Sequence, residues 1–358
     1  MIDELSLEIG GRRLSGWTSV RVTRGIERLP ADFEIEMTEL YPDEVSTFVV
    51  QPGDACVVKL GGDVAITGYV DRFAPMFAPG QHSIRVSGRS KCADLVDCAA
   101  EWPGGQISGA DVLSVARKLA MPYGAPGMEI TVSALAKGLP IQTFNLSLGE
   151  TPYEIIERLC RYSALLAYDD ANGNLVLSQV GTEQHASGFT QGLNVQSASI
   201  AYSMDQRYSE YLAFIQPIDT YADVGNAGNL IATMPDPYVA RHRRKVIIAE
   251  SGDADFAVAK KRAIWEAKRR MGRSFQLRLT VDSWRDSAGV LWTPNMLVPV
   301  ELPALKLEKK MWIISEVSYK RDAGGTTADL TIMPPEAFDV RPFLLFPVYA
   351  DVAAQAAK

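Results

Sequence analysis

The chain has 358 residues, enough for two or three domains, and its 47% hydrophobic and 22% charged content is that of an ordinary soluble globular protein. A formal net charge of −7 argues against a dedicated nucleic-acid binder. No apolar run reaches the ~18 residues of a membrane span, and MIDELSLEIG has no basic segment followed by an apolar one, so neither a membrane protein nor an export substrate is expected.

Residues 1–90 read as β throughout. LSLEIG, GWTSVRVTRGI and ADFEIEMTEL precede PGDACVVKL (52–60), AITGYVDRF (65–73) and HSIRVSGRS (82–90). Gly and Pro punctuate them at 10–11, 52–53, 61–62 and 79–80, the spacing of a small barrel or sandwich. Ile84 and Val86 alternate with Ser83, Arg85 and Ser87, a period of two that buries one face and wets the other. Residues 1–55 are acidic, with eleven Asp/Glu against five Lys/Arg.

Residues 91–182 read as an α+β unit. CADLVDCAA predicts a short helix over 92–100. Ser108 and Asp111 form a capping signature for a helix over 109–120 that stops before Pro122. Thr151 as N-cap, Pro152 at the first helical position and Glu154 at the third open a helix over 152–166. It buries Ile155, Leu159, Tyr162 and Leu166. A hairpin over 166–180 turns at Asn172-Gly173.

Strands resume over 183–217, and residues 218–272 read as an insertion. It holds a polar loop with Gly225, Gly228, Pro235 and Pro237, the strand KVIIAE (245–250) and a basic helix over 254–271 that Gly272 would cap. That helix buries Phe256, Ala259, Ala263, Ala267 and Met271. Residues 241–273 carry eleven Lys/Arg against four Asp/Glu, a local +7 that leaves −14 on the rest of a chain totalling −7. Complementary surfaces between subunits or partners are expected from that asymmetry.

Residues 273–338 return to β with FQLRLTVDSW (275–284), PNMLVPVEL (294–302), MWIISEVSYKR (311–321) and TTADLTIMPPEAF (326–338). The last three repeat the form of residues 52–90: a Pro-led turn, an apolar strand, an alternating strand, a Gly-containing turn and a further alternating strand. Ala328, Leu330 and Ile332 alternate with Thr327, Asp329 and Thr331. The tail, 339–358, is apolar and then Ala-rich, and packs either on its own domain or on a neighbour.

No phosphate-binding loop, dinucleotide fingerprint, nucleophile elbow or HExxH is present. His82, His185 and His242 read as solvated or hydrogen-bonded, and Cys56, Cys92, Cys98 and Cys160 as reduced, semi-buried thiols, so no cofactor or metal site is expected. Asp169–Asp170 and Asp253/Asp255 are carboxylate pairs at a turn and a helix start, where Asp serves local hydrogen bonding rather than a glycosidase. The functional candidates are HRRK (242–245) and Lys260, Lys261, Arg262, Lys268, Arg269 and Arg270: a solvated face, or a surface for an acidic partner or passing nucleic acid. Only Trp265 interleaves with these charges, so no sequence-specific readout is expected. Trp284 and Trp292 read as core or interface anchors.

TGYVDRF (67–73), IRVSGRSKCADLVDCAA (84–100), AIWEAKRR (263–270) and WRDSAGVLWTPN (284–295), followed by WIISEVSYKRDAGGTTADLTIMPPEAF, resemble the baseplate hub proteins of contractile phage tails. This is the family of Mu-like tail protein P and late-control protein D, related to the N-terminal part of type VI secretion spikes. Gly68, Tyr69, Asp71, Gly88, Arg89, Trp292 and Pro294 carry the likeness. The resemblance implies a mainly β fold with α+β insertions: two similar small β-barrel domains (1–90, and 183–217 with 273–338) and an α+β domain. It implies a non-enzymatic homotrimer, a ring of quasi-sixfold symmetry that adapts a hexameric tail tube to a trimeric central spike around the DNA passage. Baseplate wedge proteins would be further partners, and the location the virion tail baseplate after assembly in the host cytoplasm. Lys260, Lys261, Lys268 and Arg269 are the candidate lumen or inter-subunit contacts. The alternatives are the hub of a non-viral contractile injection system and a tail-associated cell-wall hydrolase.

Overall fold

The structure, a computed structural model, describes residues 4–38, 50–79, 81–102, 104–136, 140–163, 165–215, 230–248 and 256–338. The first region forms β1 (Leu5–Ile9), β2 (Arg12–Leu14), β3 (Ser19–Gly25), β4 (Asp32–Thr38), β5 (Ala55–Leu60), β6 (Asp63–Ala78) and β7 (Gln81–Ser90). The middle holds α1 (Ala93–Asp97), β8 (Gln106–Asp111), α2 (Val112–Ala120), β9 (Val132–Ala134), β10 (Pro140–Asn145), α3 (Pro152–Ser163), β11 (Leu166–Asp169) and β12 (Leu175–Ser178). Then come β13 (Phe189–Thr190), β14 (Val195–Tyr202), β15 (Glu210–Ile215), β16 (Leu230–Pro235), β17 (Arg244–Ile248) and α4 (Phe256–Arg273). The last region is β18 (Phe275–Val281), β19 (Leu297–Leu302), β20 (Leu307–Asp322) and β21 (Gly325–Met333).

The alternation in both β regions gives each strand one apolar face, and those faces share a core. Val20, Val22, Phe33, Ile35 and Val86 lie in one cluster with Leu277, Leu279, Val317, Leu330 and Ile332. The strands run in one sheet, in the order β14-β18-β21-β20-β3-β4-β7-β6-β5-β1-β2, with β19 on β20 and β13 on β19. Where two closed barrels were expected, neither half closes on itself among the described residues. The reason lies in β20, which is 16 residues long. Its start pairs with β19, and beyond a bulge at Ser315 its remainder pairs with β3, from Glu316 opposite Gly25 to Arg321 opposite Val20. A bulge re-aims a strand, so a single long strand can serve two neighbours along one edge.

The two halves share a strand plan. In chain order β3, β4, β5, β6, β7 stand side by side as β3-β4-β7-β6-β5, and β14, β18, β19, β20, β21 stand as β14-β18-β21-β20-β19. The long strands β6 and β20 are both 16 residues, each with a bulge against its successor, at Asp71 and at Ser315. One numbering offset carries Phe33 to Leu277, Asp71 to Ser315 and Ser87 to Thr331.

The middle unit packs α2 and α3 on its own sheets. Thr151 Oγ1 accepts from the Glu154 N–H at 3.2 Å while Glu154 accepts from the Thr151 N–H at 2.9 Å, which satisfies two donors at the start of α3. Ile155, Ile156, Leu159 and Cys160 then face Val115, Leu119, Leu175 and Leu177. The Ser108 cap is displaced: Ser108 pairs with Thr143 in the β8–β10 ladder, and Asp111 is itself the N-cap, accepting from the Ser114 N–H at 2.9 Å. Leu166 opens β11 instead of extending α3, and the Tyr162 side chain lies outside the described set.

β15 leaves the large sheet and pairs with β16 and β17. Its Tyr211 and Ala213, with Ala232 and Ile247, meet Ala259, Ala263 and Ala267 of α4, small side chains that let the helix lie close to the strands. Trp265 on another face of α4 packs with Ile26, Leu166, Ile313, Ala337 and Phe338, where the large sheet and the middle unit meet. Met271 is half-buried, and the Phe256 side chain, Gly225, Gly228, Asp253, Asp255 and the 339–358 tail lie outside the described residues. Cys56, Cys92 and Cys160 are buried free thiols and Cys98 is half-buried. Among the described residues no helix is long and apolar enough to cross a membrane.

Gly272, expected as a cap, lies inside α4, which runs on to Arg273. A Cβ there would stand 2.3 Å from the Ala337 nitrogen, so the glycine serves close packing rather than helix termination. In an open helix, Gly→Ala stabilises by about 1 kcal/mol. Gly272→Ala is expected to reverse that sign and lower the unfolding free energy by roughly 1–3 kcal/mol, read from urea midpoints.

Candidate functional site

Gly68, Tyr69, Asp71, Gly88 and Arg89 come together where β6 crosses β7. Gly68 stands opposite Ser90 and Val70 opposite Gly88. A Cβ on Gly68 would lie 1.9 Å from the Arg89 carbonyl oxygen, and one on Gly88 would lie 2.2 Å from that of Tyr69 and 2.7 Å from the Phe33 ring. Both positions therefore exclude any side chain. Asp71, at the bulge, receives Arg89 Nε at 2.6 Å, and Arg89 Nη2 reaches Asp97 of α1 at 2.8 Å. These bonds to Asp71 and then Asp97 hold the guanidinium above its ordinary pKa. Tyr69 Oη accepts from the Ala125 N–H at 3.0 Å.

The motif is thus a joint between the first β region and the middle unit, and neighbouring residues extend it. Asp169 accepts from the Ala31 N–H at 2.8 Å and from the Ser90 hydroxyl. Burial raises the Asp169 carboxyl above its usual range, against the pull of those two donors. Lys91 Nζ donates to the Glu129 carbonyl at 2.7 Å, and Cys92 Sγ lies 3.2 Å from that of Gly173. Asp170 accepts from the Asn174 N–H at 2.9 Å within the hairpin turn.

Trp292 and Pro294 belong to a second joint. Trp284 Nε1 donates to the carbonyls of Lys320 and Thr327, and Trp292 Nε1 to that of Ser283. The Tyr319 hydroxyl donates to the Trp292 carbonyl. Both indoles are buried, as anchors for β20 and β21. Pro294 leads into Asn295, which has φ 69°, a left-handed conformation that Asn tolerates well. Asn295 Oδ1 accepts from the Gly181 N–H at 2.8 Å and its Nδ2 donates to the Gln179 carbonyl at 3.0 Å, tying the turn to the end of the middle unit.

His185 and Asp286 are a buried pair that local sequence does not reveal. The Thr293 N–H donates to His185 Nε2 at 3.0 Å, so the ring proton is on Nδ1, 3.0 Å from Asp286 Oδ2. Asp286 also accepts from the N–H groups of Ala186, Ala288 and Val290. Burial pushes this carboxyl up, but His185 and then the three amides outweigh it and hold it below its usual value. The one legible signal is DSAG, Asp286 with Gly289, which has φ 82° and donates to the Asp286 carbonyl. Its partner lies 101 residues earlier.

The basic candidates divide. Arg269 Nη2 meets Glu27 Oε1 at 2.8 Å and its guanidinium lies over the Trp265 ring, while Arg273 also reaches Glu27. Arg270 pairs with Glu266 at 2.6 Å and with the Gln206 carbonyl, and Arg262 stacks on Trp265. Within HRRK, Arg243 donates to the carbonyls of Met204 and Asp205, and Arg244 pairs with Glu210. Lys260 is exposed, Lys268 is half-buried, and the Lys261 side chain lies outside the described set. His82 lies in β7 and His242 just before β17. No cluster of His, Cys, Asp and Glu with the makings of a metal site occurs among the described residues.

Residues 4–90 match the family described as Mu phage baseplate assembly protein GpP-like, N-terminal. Residues 92–179 match the second domain of baseplate hub protein gp44-like, and residues 255–341 the fourth domain of Mu phage baseplate assembly protein GpP. Baseplate hub protein gp44 of Escherichia phage Mu is 29% identical over 357 residues, covering 98% of this chain and 91% of that protein. The 43 kDa tail protein of prophage MuSo2 from Shewanella oneidensis is 32% identical, with a TM-score of 0.82 over 94% of this chain and 99% of its own. The tail protein of Neisseria meningitidis MC58 shares the fold at 21% identity, with a TM-score of 0.81 over 95% of this chain and 99% of its own.

The depressed Asp286 carboxyl makes a prediction with a definite sign. A lowered folded value contributes stability above the unfolded value of about 3.9, lost as pH falls through the folded one. The unfolding free energy of Asp286→Asn is therefore expected to fall further below that of the unsubstituted protein at pH 7 than at pH 3. Equal deficits at both pH values would contradict the assignment.

Proposed function

The chain belongs to the baseplate hub proteins of Mu-like phage tails, and on that premise we propose that three copies form a ring between the hexameric tail tube and the trimeric central spike. The observation that carries the reading is the shared strand plan of the two β regions. A doubled five-stranded module in each of three chains gives six near-equivalent positions, which a hexameric partner requires and a threefold spike also accepts. The role is non-enzymatic. Its physics is the covering of strand edges and apolar faces by neighbouring subunits, with baseplate wedge proteins as further partners and assembly in the host cytoplasm.

The ring's lumen, in this reading, is faced by the polar side of the large sheet. That side carries cross-strand pairs: Arg21 with Asp32 and Glu34, Arg85 with Glu34 and Glu36, and Lys320 with Asp329. Charges already paired leave little excess to displace counterions from a phosphate backbone, so DNA would pass without being held. Lys260 and Lys268, with Lys261 and the Glu27-bound Arg269, are proposed as contacts to an acidic neighbour.

Light scattering at tens of micromolar is expected to give three times the 39.1 kDa of the chain. A monomer that also fails to bind tube protein would overturn the reading, and clearing of peptidoglycan in a zymogram would favour a hydrolase instead. Surface ion pairs contribute about 0.2–1 kcal/mol each, so Lys260→Glu with Lys268→Glu is expected to weaken assembly by roughly tenfold without unfolding the chain. Normal assembly by that variant would reduce this face of α4 to a solvated one.

A further inference from the structure

The two buried aspartates of the joints are built differently. Asp286 receives two donors on each oxygen: His185 and the Ala186 N–H on Oδ2, the Ala288 and Val290 N–H groups on Oδ1. Asp169 is 2% exposed, yet its donors, the Ala31 N–H and the Ser90 hydroxyl, converge on Oδ2. Asp169 Oδ1 has no hydrogen-bond partner among the described residues. A carboxylate with donors on both oxygens keeps its charge in the interior, whereas one with a bare oxygen is penalised by desolvation. The position matters as much as the chemistry. Asp169 closes β11 in the middle unit, while Ala31 leads into β4 and Ser90 closes β7 in the large sheet.

We propose that this carboxyl is a proton-operated latch between the middle unit and the large sheet: neutral, it holds the joint tight, and on losing its proton as pH rises it loosens the joint. With the proton on Oδ1, Oδ2 still accepts from Ala31 and Ser90, and no charge is buried. With the proton gone, a full negative charge stands there with one oxygen unanswered. A neutral hydroxyl without a partner costs far less in the interior than a charge without one.

The surrounding groups do not reverse that balance. Arg24 of β3 is buried on the apolar side of its strand with Val20 and Val22, and its charge draws the carboxyl down, but its Nε is likewise without a hydrogen-bond partner. The Tyr153 hydroxyl of α3 and the Cys92 thiol before α1 also face it, both neutral groups that burial pushes up. Lys91 and Asp170, the chain neighbours, are engaged elsewhere, with the Glu129 carbonyl and the Asn174 N–H. Burial raises the Asp169 carboxyl, and Ser90, Ala31, Arg24 and its own amide oppose this in turn without overcoming it. The sign is opposite to that of Asp286. A raised folded value contributes stability that is complete below the unfolded value of about 3.9 and is lost as pH rises through the folded one.

Asp169→Asn keeps the shape and one acceptor oxygen and cannot ionise. Amide hydrogen exchange of peptides spanning Ala31 and β11 is compared between the full-length variant and the unsubstituted protein, at about pH 4.5 and at about pH 8. Comparison within one pH cancels the intrinsic exchange chemistry and the titration of every other group. The ratio of variant to unsubstituted exchange is expected to fall roughly tenfold from the lower pH to the higher, as the unsubstituted joint loosens and the variant's does not. Ser90→Ala, which removes a donor from the ionised form, is expected to move the other way, its ratio rising over the same interval. A merely structural role for either side chain shifts exchange by one factor at both pH values. A ratio for Asp169→Asn that stays constant or rises with pH overturns the proposal, as does a constant ratio for Ser90→Ala. Should Asp169→Asn fail to fold, Ser90→Ala alone decides.

Discussion

The pairing of β20 with β3 is the contact on which the rest of the molecule depends. It joins strands nearly three hundred residues apart in the chain, Glu316 to Gly25 and Arg321 to Val20. Closing so long a loop costs only slightly more entropy than closing a loop half that length, about 0.6 kcal/mol per doubling. The cost is offset where Val20, Val22, Val317 and Tyr319 leave water together. Without that junction the molecule would have two small sheets with two exposed edges. With it, one core spans both β regions, and the middle unit and α4 are held against a common frame through Ile26, Trp265, Ile313 and Phe338.

Local chemistry was legible in the sequence and long-range pairing was not. Thr151 and Glu154 exchange the two bonds their spacing predicts, because a helix start is settled within four residues. The alternation of Ile84 and Val86, or of Ala328, Leu330 and Ile332, reports the buried face of a strand for the same reason. Which strand lies beside which is not a local property. Nothing near Glu316 announces Gly25, so two closed barrels were as natural a reading as one continuous sheet. Gly272 misled because a glycine near a helix end fits a cap and a close contact equally well. Only the position of Ala337 decides between them. Among the site residues, the glycines and Asp71 and Arg89 were visible as a motif, while His185 was not, since its partner is 101 residues away.

The basic segment shows how net charge and available charge differ. Arg243, Arg244, Arg269, Arg270 and Arg273 all find acceptors within the chain, and Glu27 alone receives two of them. Arg269 and Arg273 thus brace α4 against the turn that follows β3, Arg243 ties the start of β17 to the loop after β14, and Arg244 and Arg270 pair within the small sheet and within α4. Arginine suits that task, since its planar fork bonds carboxylates and stacks on Trp265 in the same pose. Among the lysines of α4, compact and strongly hydrated side chains, Lys260 faces outward.

The offset that relates the two halves also relates their charges, and it inverts them. Glu34 corresponds to Arg278, and Arg85 to Asp329, on the same polar side of the sheet. Around the proposed ring the sign at each of these places would alternate from one module to the next. A sixfold partner of uniform charge meets attraction and repulsion in turn, whereas a threefold partner can seat every charge favourably. Such a surface would be a phase mark: it would let a shape close to sixfold be read as threefold, and would fix by electrostatics the angle at which a threefold object comes to rest.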